Sequence, residues 1–366
     1  MSQPSERPFA RDLTPISQAL ALAGLLALHL GAQGAPTYTC QVLQDNSPSP
    51  STVASDINNR GEILGRATYA ADKSNGAVVW KRDGRIVPLL PRDPALIDGS
   101  AINDAGQVVG TRYRHSGPGK VVVWSGNTRI YMDALVGPDG FSNGSDINQA
   151  GHAVGSSQVK LGDFTAHATL WKDGAVTDLG GLAETDESSA NGINDSGVIV
   201  GRSGPKNGDY RAVQWDAKGI TDLGTLPDHV RSHASRINRD GIVIGFSSAK
   251  HDFAPRPVAW KEGVIHDLGT LPGHPFGIVG AINADGKMVG SSFDKNFSGD
   301  IPTLWLAVGR KPLDLNTLIP NGCVDAQGVS WSLQRATGIN DRGEITAFGE
   351  KTDTGYKTAA FRLTPL

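Results

Sequence analysis

The feature that most constrains the fold is a five-residue unit, Ile-Asn-x-x-Gly, which recurs seven times along the chain. The copies begin at Ile57, Ile102, Ile147, Ile193, Ile237, Ile282 and Ile339, at steps of 45, 45, 46, 44, 45 and 57 residues. A second marker has the same period: Trp80, Trp124, Trp171, Trp215, Trp260 and Trp305, with Phe361 in the seventh slot. Repetition at a fixed period is typical of an array in which each repeat is one supersecondary unit.

The fourth repeat shows what one unit contains. Its short segments between turn residues predict four strands, at 190–194, 198–201, 211–215 and 220–224. Gly197 ends the turn between the first two strands, where a positive φ suits glycine better than any other residue. Helical spacing of apolar residues is absent from the repeats, so the strands form antiparallel hairpins.

A single four-stranded sheet cannot bury both of its faces, whereas sheets stacked radially bury their Ile, Val, Leu and Trp side chains between neighbours. The predicted fold class is therefore all-β: a seven-bladed β-propeller with four-stranded antiparallel blades. The recurring Trp residues are interpreted as core packing between blades, since each can bury about 150–250 Å². The alternative is an aromatic ladder for a ligand.

The two ends of the chain predict how the ring closes. The last repeat has three strands and stops at Leu366. Leu43 lies 14 residues before Ile57, the same offset that separates the fourth-strand leucines from the next repeat. Residues 38–43 are therefore expected to complete the seventh blade, which removes two open sheet edges. Cys40 would lie in that strand and Cys323 in the insertion before the last repeat, so we expect a disulfide across the seam. The alternative is two unpaired cysteines.

The composition is typical of an ordered β protein with many tight turns: 39% hydrophobic, 19% charged and 46 glycines in 366 residues. The net charge of −3 gives no bias toward nucleic acid. Arg7 and Arg11 precede an apolar run at 19–30, and small residues follow at 32–34. This pattern predicts a cleaved signal peptide at 1–34 and a single mature domain at 35–366, either secreted or periplasmic. The alternative, a membrane anchor, needs about 20 apolar residues.

The repeats resemble a known family. The pattern Ala-x-x-Ile-Asn-Asp-x-Gly-x-Val-Val-Gly is followed by a His-Ala-Phe-Leu-Trp-like strand, read here as His-Ala-Thr-Leu-Trp at 167–171, and then by Asp-Leu-Gly-Thr-Leu at 222–226 and 267–271. Together these motifs resemble the HAF repeat family of bacterial extracellular proteins over residues 36–366. The resemblance implies an exported β-propeller and brings no catalytic residues with it.

The strand order sorts the connections onto two faces. Turns after the first and third strands of each blade lie on one side, here called the turn face, and are short and uniform. Connections after the second and fourth strands lie on the opposite side, the loop face, and vary from blade to blade. Because binding usually resides in variable loops on a rigid scaffold, we expect the site on the loop face. The candidate ligand-binding residues are Asp186, Glu187, His229, His233, Arg236, His274, Trp331 and Arg335.

Three hypotheses for these residues stay open: ordinary solvated loops, a non-catalytic ligand site, or an acid–base or metal site built on the histidines. The spacings match no recognised metal-ligand, phosphate-binding or nucleophile motif, so no metal and no cofactor is predicted. The leading functional prediction is a monomeric binding module for a glycan, a peptide or an envelope protein. The alternative is a hydrolase or lyase that acts on a saccharide or small metabolite at the channel mouth.

Overall fold

The computed structural model describes residues 35–44, 51–68, 75–89, 96–113, 118–250, 254–351 and 357–366. The predicted signal peptide, residues 1–34, lies outside these ranges. Residues Tyr38–Leu366 form one compact unit, a ring of seven sheets that is a β-propeller, as the sequence predicts. The described ranges contain no helix that could span a membrane.

The strands follow one another in seven sets of four. After β1 (Tyr38–Leu43), blades 1 to 3 contain β2 (Val53–Ile57), β3 (Ile63–Thr68), β4 (Asn75–Trp80), β5 (Ile86–Pro88), β6 (Leu96–Ile102), β7 (Val108–Tyr113), β8 (Lys120–Ser125), β9 (Thr128–Tyr131), β10 (Ser142–Ile147), β11 (Ala153–Gln158), β12 (Ala166–Lys172) and β13 (Ala175–Gly180). Blades 4 and 5 contain β14 (Asp186–Ile193), β15 (Ile199–Pro205), β16 (Arg211–Asp216), β17 (Gly219–Asp222), β18 (Arg231–Ile237), β19 (Val243–Ser248), β20 (Arg256–Lys261) and β21 (Val264–Asp267). Blades 6 and 7 contain β22 (Phe276–Ile282), β23 (Met288–Phe293), β24 (Ile301–Trp305), β25 (Leu313–Asp314), the 3₁₀ helix η1 (Leu315–Leu318), β26 (Cys323–Val324), β27 (Ser330–Ile339), β28 (Ile345–Lys351) and β29 (Lys357–Pro365).

The core lies between the blades. Hydrophobic clusters form from neighbouring sheets, for example Val154 of blade 3 with Ile193 and Val213 of blade 4. All six repeat tryptophans and Phe361 are at most 5% exposed. Their interpretation as core packing is confirmed.

The ring closes at the predicted strand. β1 pairs antiparallel with β29 from Tyr38 opposite Pro365 to Leu43 opposite Ala360, so the N-terminal segment is the outermost strand of blade 7. The Cys40–Cys323 disulfide is present. The insertion before the last repeat adds the short β26, which pairs with the start of β27 and makes this sheet five-stranded.

The repeated asparagines form a closed circle of hydrogen bonds around the axis. The side-chain Nδ2 of each one donates to the backbone carbonyl oxygen of the next: Asn58 to Asn103, Asn103 to Asn148, Asn148 to Asn194, Asn194 to Asn238, Asn238 to Asn283, Asn283 to Asn340 and Asn340 to Asn58, at 2.9–3.3 Å. Every donor is at most 7% exposed. The motif that defines the repeat therefore also joins each blade to the next.

A β-bulge recurs in the innermost strand of all seven blades, two residues before the Ile-Asn pair. At a bulge, two residues of one strand lie opposite a single residue of the partner strand, and this changes the direction in which the following side chains point. In blade 4 the bulge brings the carbonyl oxygen of Ser189 against Gly201 of the second strand, leaving no room there for a Cβ atom. The glycine of the Val-Val-Gly pattern is thus the partner of the bulge.

Candidate functional site

A polar cavity of about 350 Å³ opens on the turn face at the axis of the ring. Its mouth is lined by the residues that follow the turn asparagines, among them Asn59, Asp104, Gln149, Asp195 and Asp341. Deeper in, the residue that follows the bulge and precedes the Ile-Asn pair lines the cavity in four blades, as Asp56, Asp146, Arg236 and Ala281. We call this space the axial cavity.

Three charged side chains project from the wall of the axial cavity: Asp56 from blade 1, Asp146 from blade 3 and Arg236 from blade 5. Asp56 accepts the backbone N–H of Ile57 at 2.8 Å and that of Ile102 in the next blade at 2.9 Å. Asp146 likewise accepts from Ile147 and Ile193, at 2.9 and 3.0 Å. Each carboxylate therefore also links two neighbouring blades.

Burial governs the protonation of these acids. Although both carboxylates can be reached from the axis, protein surrounds them on the other sides. The resulting desolvation raises the pKa of Asp56 to about 6 and also raises the pKa of Asp146, while the Arg236 guanidinium acts in the opposite direction. Desolvation therefore outweighs the effect of the Arg236 charge on the pKa of both carboxylates.

A second candidate site lies on the loop face, across blades 2 to 4. Tyr113, Phe141 and Phe164 line a cavity of about 540 Å³, and Phe164 also borders an adjacent cavity of about 310 Å³ whose far side is Tyr210. Phe164 is 83% exposed and stacks on Phe141 with ring centroids 6.5 Å apart. We call these two cavities and the four rings the loop-face groove.

Polar groups line the loop-face groove between the rings. Asn143 accepts the Tyr113 hydroxyl at 3.2 Å through its Oδ1 and makes no side-chain hydrogen bond through Nδ2 within the described chain. Glu187 and Arg202 line the smaller cavity, where the Arg202 guanidinium lies 4.8 Å from the centre of the Tyr210 ring. The loop-face groove thus offers hydrogen-bond donors and acceptors beside flat apolar surfaces.

Of the eight residues predicted from sequence, two line these cavities: Arg236 the axial cavity and Glu187 the loop-face groove. Asp186 is buried and accepts hydrogen bonds from the Ala183 N–H and the Ser203 hydroxyl, at 3.2 and 3.3 Å. These bonds hold the loop that precedes β14 in place.

The three predicted histidines have separate partners. His229 Nδ1 lies 3.0 Å from the Ser247 hydroxyl, and His274 Nδ1 lies 3.1 Å from a backbone carbonyl oxygen two residues away. His233 stacks on Phe246 with ring centroids 5.1 Å apart. Within the described ranges, no three His, Cys, Asp or Glu side chains are grouped so that they could hold a metal ion.

The two predicted residues of blade 7 contact that blade and its neighbour. Trp331 donates to Asp325 at 3.0 Å and packs edge-on against the buried Phe361. Arg335 pairs with Asp300 at 2.6 Å.

Sequence reasoning missed Asp56, Asp146 and the aromatic residues of the loop-face groove. One signal was available for the carboxylates: the position before Ile-Asn is Asp, Ala, Asp, Gly, Arg, Ala and Gly in the seven repeats, so charge is confined to three of them. A second signal was that Tyr113, Phe141 and Phe164 occupy positions with no aromatic residue in most repeats.

Comparisons with known proteins identify the fold. No family model and no curated protein matches the chain. Among solved structures, it is similar to a streptogramin B lyase at 12% identity, with 90% of this chain and 98% of that chain covered and a TM-score of 0.52. It is also similar to the oligogalacturonate lyase of Vibrio parahaemolyticus at 10% identity, with 91% and 98% covered and a TM-score of 0.53. It is similar, too, to a prolyl endopeptidase at 8% identity, with 95% of this chain and 55% of that chain covered and a TM-score of 0.55.

At these identities the similarities define the class of protein, a seven-bladed β-propeller, and leave its activity to be argued from its own residues.

Proposed function

We propose that this protein is an exported carbohydrate-binding propeller, and that the loop-face groove holds a glycan chain. The observation that carries the proposal is the exposed Phe164 ring, which stands between two cavities that each have polar side chains in their lining. A sugar ring has one or two flat faces of C–H groups that pack on an aromatic ring, and hydroxyls at its edge that need hydrogen-bond partners. Asn143, Glu187 and Arg202 supply such partners.

Two further features support the proposal. The two cavities share Phe164, so one elongated ligand can occupy both, as a chain of sugar units would. Each cavity also lies within the range of about 300–1,000 Å³ that is usual for ligand sites. The predicted signal peptide and the repeat motifs are consistent with an exported member of the HAF repeat family, and we include both in the proposal.

A glycan array followed by calorimetric titration of the bound glycan tests this function. We expect Phe164→Ala to weaken binding by about tenfold or more, that is by at least about 1.4 kcal/mol, because a stacked ring is lost. Tyr131→Ala is the matched control, since Tyr131 is 49% exposed on β9, the outermost strand of blade 2, and lines neither cavity of the groove. No binder on the array, or equal affinity for the Phe164→Ala variant and the wild type, would contradict the proposal.

Incubation of the bound glycan with the protein, followed by product analysis, separates the two functional hypotheses. A binding module leaves the glycan intact. Cleavage would instead indicate the hydrolase or lyase alternative.

A further inference from the structure

The axial cavity is a second site, distinct from the loop-face groove in position and in chemistry. It opens on the turn face, whereas the loop-face groove lies at the opposite ends of the strands. It is lined by three charged side chains at depth and four at the mouth, Asp104, Asp195, Arg239 and Asp341, and by no aromatic ring. Its volume of about 350 Å³ is at the lower end of the range for ligand sites, so its ligand must be small.

The Arg236 guanidinium forms no ion pair with the two carboxylates deep in this cavity. Within the described chain, Arg236 forms no ion pair with Asp56 or Asp146 at N···O distances up to 4.0 Å, yet its charge acts on both carboxylates. The four equivalent positions in the other blades are Ala or Gly, so no other side chain at this level fills the gap. A space that separates one guanidinium from two carboxylates fits a ligand that carries both charges.

Each charged group keeps hydrogen-bonding capacity for such a ligand. Arg236 uses only Nη1, which donates to the backbone carbonyl oxygens of Asn191 and Ser235 at 2.8 and 3.0 Å. Its Nε and Nη2 groups have no hydrogen-bond partner among the described residues, and they are the pair of donors that binds a carboxylate side by side. Each oxygen of Asp56 and of Asp146 accepts one backbone N–H and can accept a second donor.

From this arrangement we propose that the axial cavity binds a free α-amino acid, with its carboxylate on Arg236 and its ammonium group between Asp56 and Asp146. The cavity provides complementary charge at both ends of the ligand. The raised pKa of Asp56 agrees with this assignment, because an ammonium group would supply the positive charge that the buried carboxylate needs.

A thermal-shift screen of the standard L-amino acids against the purified protein, followed by calorimetry on any ligand found, tests the proposal. The matched ligands are the amide of the same amino acid, which lacks the carboxylate, and its N-acetyl form, which lacks the ammonium. We expect each to bind about tenfold more weakly or worse, since each loses one charged contact. Absence of binding by any amino acid at millimolar concentration, or equal binding of the amide, would overturn the proposal.

Two variants locate the site. Arg236→Lys keeps the positive charge and loses the paired donors. Ala281→Leu enlarges a residue that lines the cavity and packs against the core between blades 6 and 7, and it removes no side-chain hydrogen bond. Both should weaken amino-acid binding by about tenfold or more. Arg310→Lys, at an exposed position, is the control and should bind as the wild type does.

Unchanged affinity in the Ala281→Leu variant would overturn the site even if the Arg236→Lys variant failed to fold. Phe164→Ala should leave amino-acid binding intact, so the two proposed sites can fail independently.

Discussion

The asparagine of each turn uses every hydrogen-bonding group that it has. In blade 6, the backbone N–H of Asn283 donates to the Lys287 carbonyl oxygen at 3.0 Å, its carbonyl oxygen accepts from Gly286 at 3.1 Å, and its Oδ1 accepts from the Lys287 N–H at 2.9 Å. Its Nδ2 donates to Asn340 of the next blade at 3.1 Å. Aspartate lacks the side-chain donor and serine lacks the reach, so the chemistry of the position accounts for the recurrence of Asn.

His233 shows how burial controls a single residue. Its Nε2 lies 3.1 Å from the Asn191 Nδ2, which also donates to a backbone carbonyl oxygen, so Nε2 serves as the acceptor and the ring is neutral. Burial lowers the pKa of His233 to about 4, and the nearby guanidinium groups of Arg202 and Arg236 contribute in the same direction.

A pH dependence of stability follows from this pKa. In the unfolded chain His233 takes up a proton near pH 6.5, whereas in the folded protein it stays neutral down to about pH 4. The unfolded state binds more protons in that window, so the His233 contribution to the free energy of unfolding decreases as the pH falls, by about 3 kcal/mol in all.

Urea denaturation of the wild type and of His233→Phe at pH 7 and pH 4.5 checks this expectation. The stability of the wild type relative to the variant should be lower at pH 4.5. A difference that is independent of pH would show that the pKa of His233 is the same in the folded and unfolded states.

At the scale of the strand, the bulge decides what faces the axis. In each blade it re-aims the residue before Ile-Asn, and this is how Asp56, Asp146 and Arg236 come to line the axial cavity. In six blades a glycine stands opposite the bulge in the second strand, and a Cβ atom there would overlap a carbonyl oxygen of the first strand. In blade 7 this position is Ala347, and a glycine, Gly349, stands opposite a second irregularity of β27 instead. In the six blades the Gly of Val-Val-Gly is therefore a packing requirement and not a turn signal.

Gly201→Ala should destabilise the protein by about 3 kcal/mol or more, because the new methyl group would overlap the Ser189 carbonyl oxygen in a backbone that cannot yield. Gly174→Ala is the comparison: it has a φ of 79° in an open turn, and only conformational strain of about 1 kcal/mol is expected. Thermal or urea unfolding of both variants measures the difference. Equal losses would mean that the second strand shifts to accommodate the methyl group.

At the scale of the whole molecule, the ring depends on one seam. The β1–β29 ladder closes blade 7, and the Cys40–Cys323 disulfide joins its outermost strand to the insertion that precedes β27. The circle of asparagine hydrogen bonds crosses the same seam, where Asn340 donates to Asn58 at 3.1 Å. An opening at the seam would therefore break contacts at the rim and at the axis together.

Replacing both cysteines, Cys40→Ala with Cys323→Ala, should lower the free energy of unfolding by up to about 5 kcal/mol, since the bond closes a loop between residues 283 positions apart. The urea midpoint measures the loss. Hydrogen exchange should then show the amides of β1 exchanging before those of blades 3 to 5. An unchanged midpoint would indicate that the ladder and the asparagine circle hold the ring without the disulfide.

The extent to which the sequence predicts this protein differs between fold and site. The period, the positive φ of Gly197, the buried tryptophans and the closing strand were all predictable, because each depends on a local pattern or on counting strands. The bounds were less accurate: the second strand of the fourth repeat, predicted at 198–201, extends to Pro205. Pairing with the long β14 explains the extension.

The architecture follows from the repeats alone, because every repeat carries its own turn, its own strands and one large aromatic residue for the next interface. Which side chains meet depends on the closed ring. Asp56, Asp146 and Arg236 come from three blades, and the loop-face groove takes its rings from three as well. Residues that far apart in the chain converge only after the ring has closed, and the bulge that turns the three charged side chains toward the axis arises from strand pairing, which no local pattern shows.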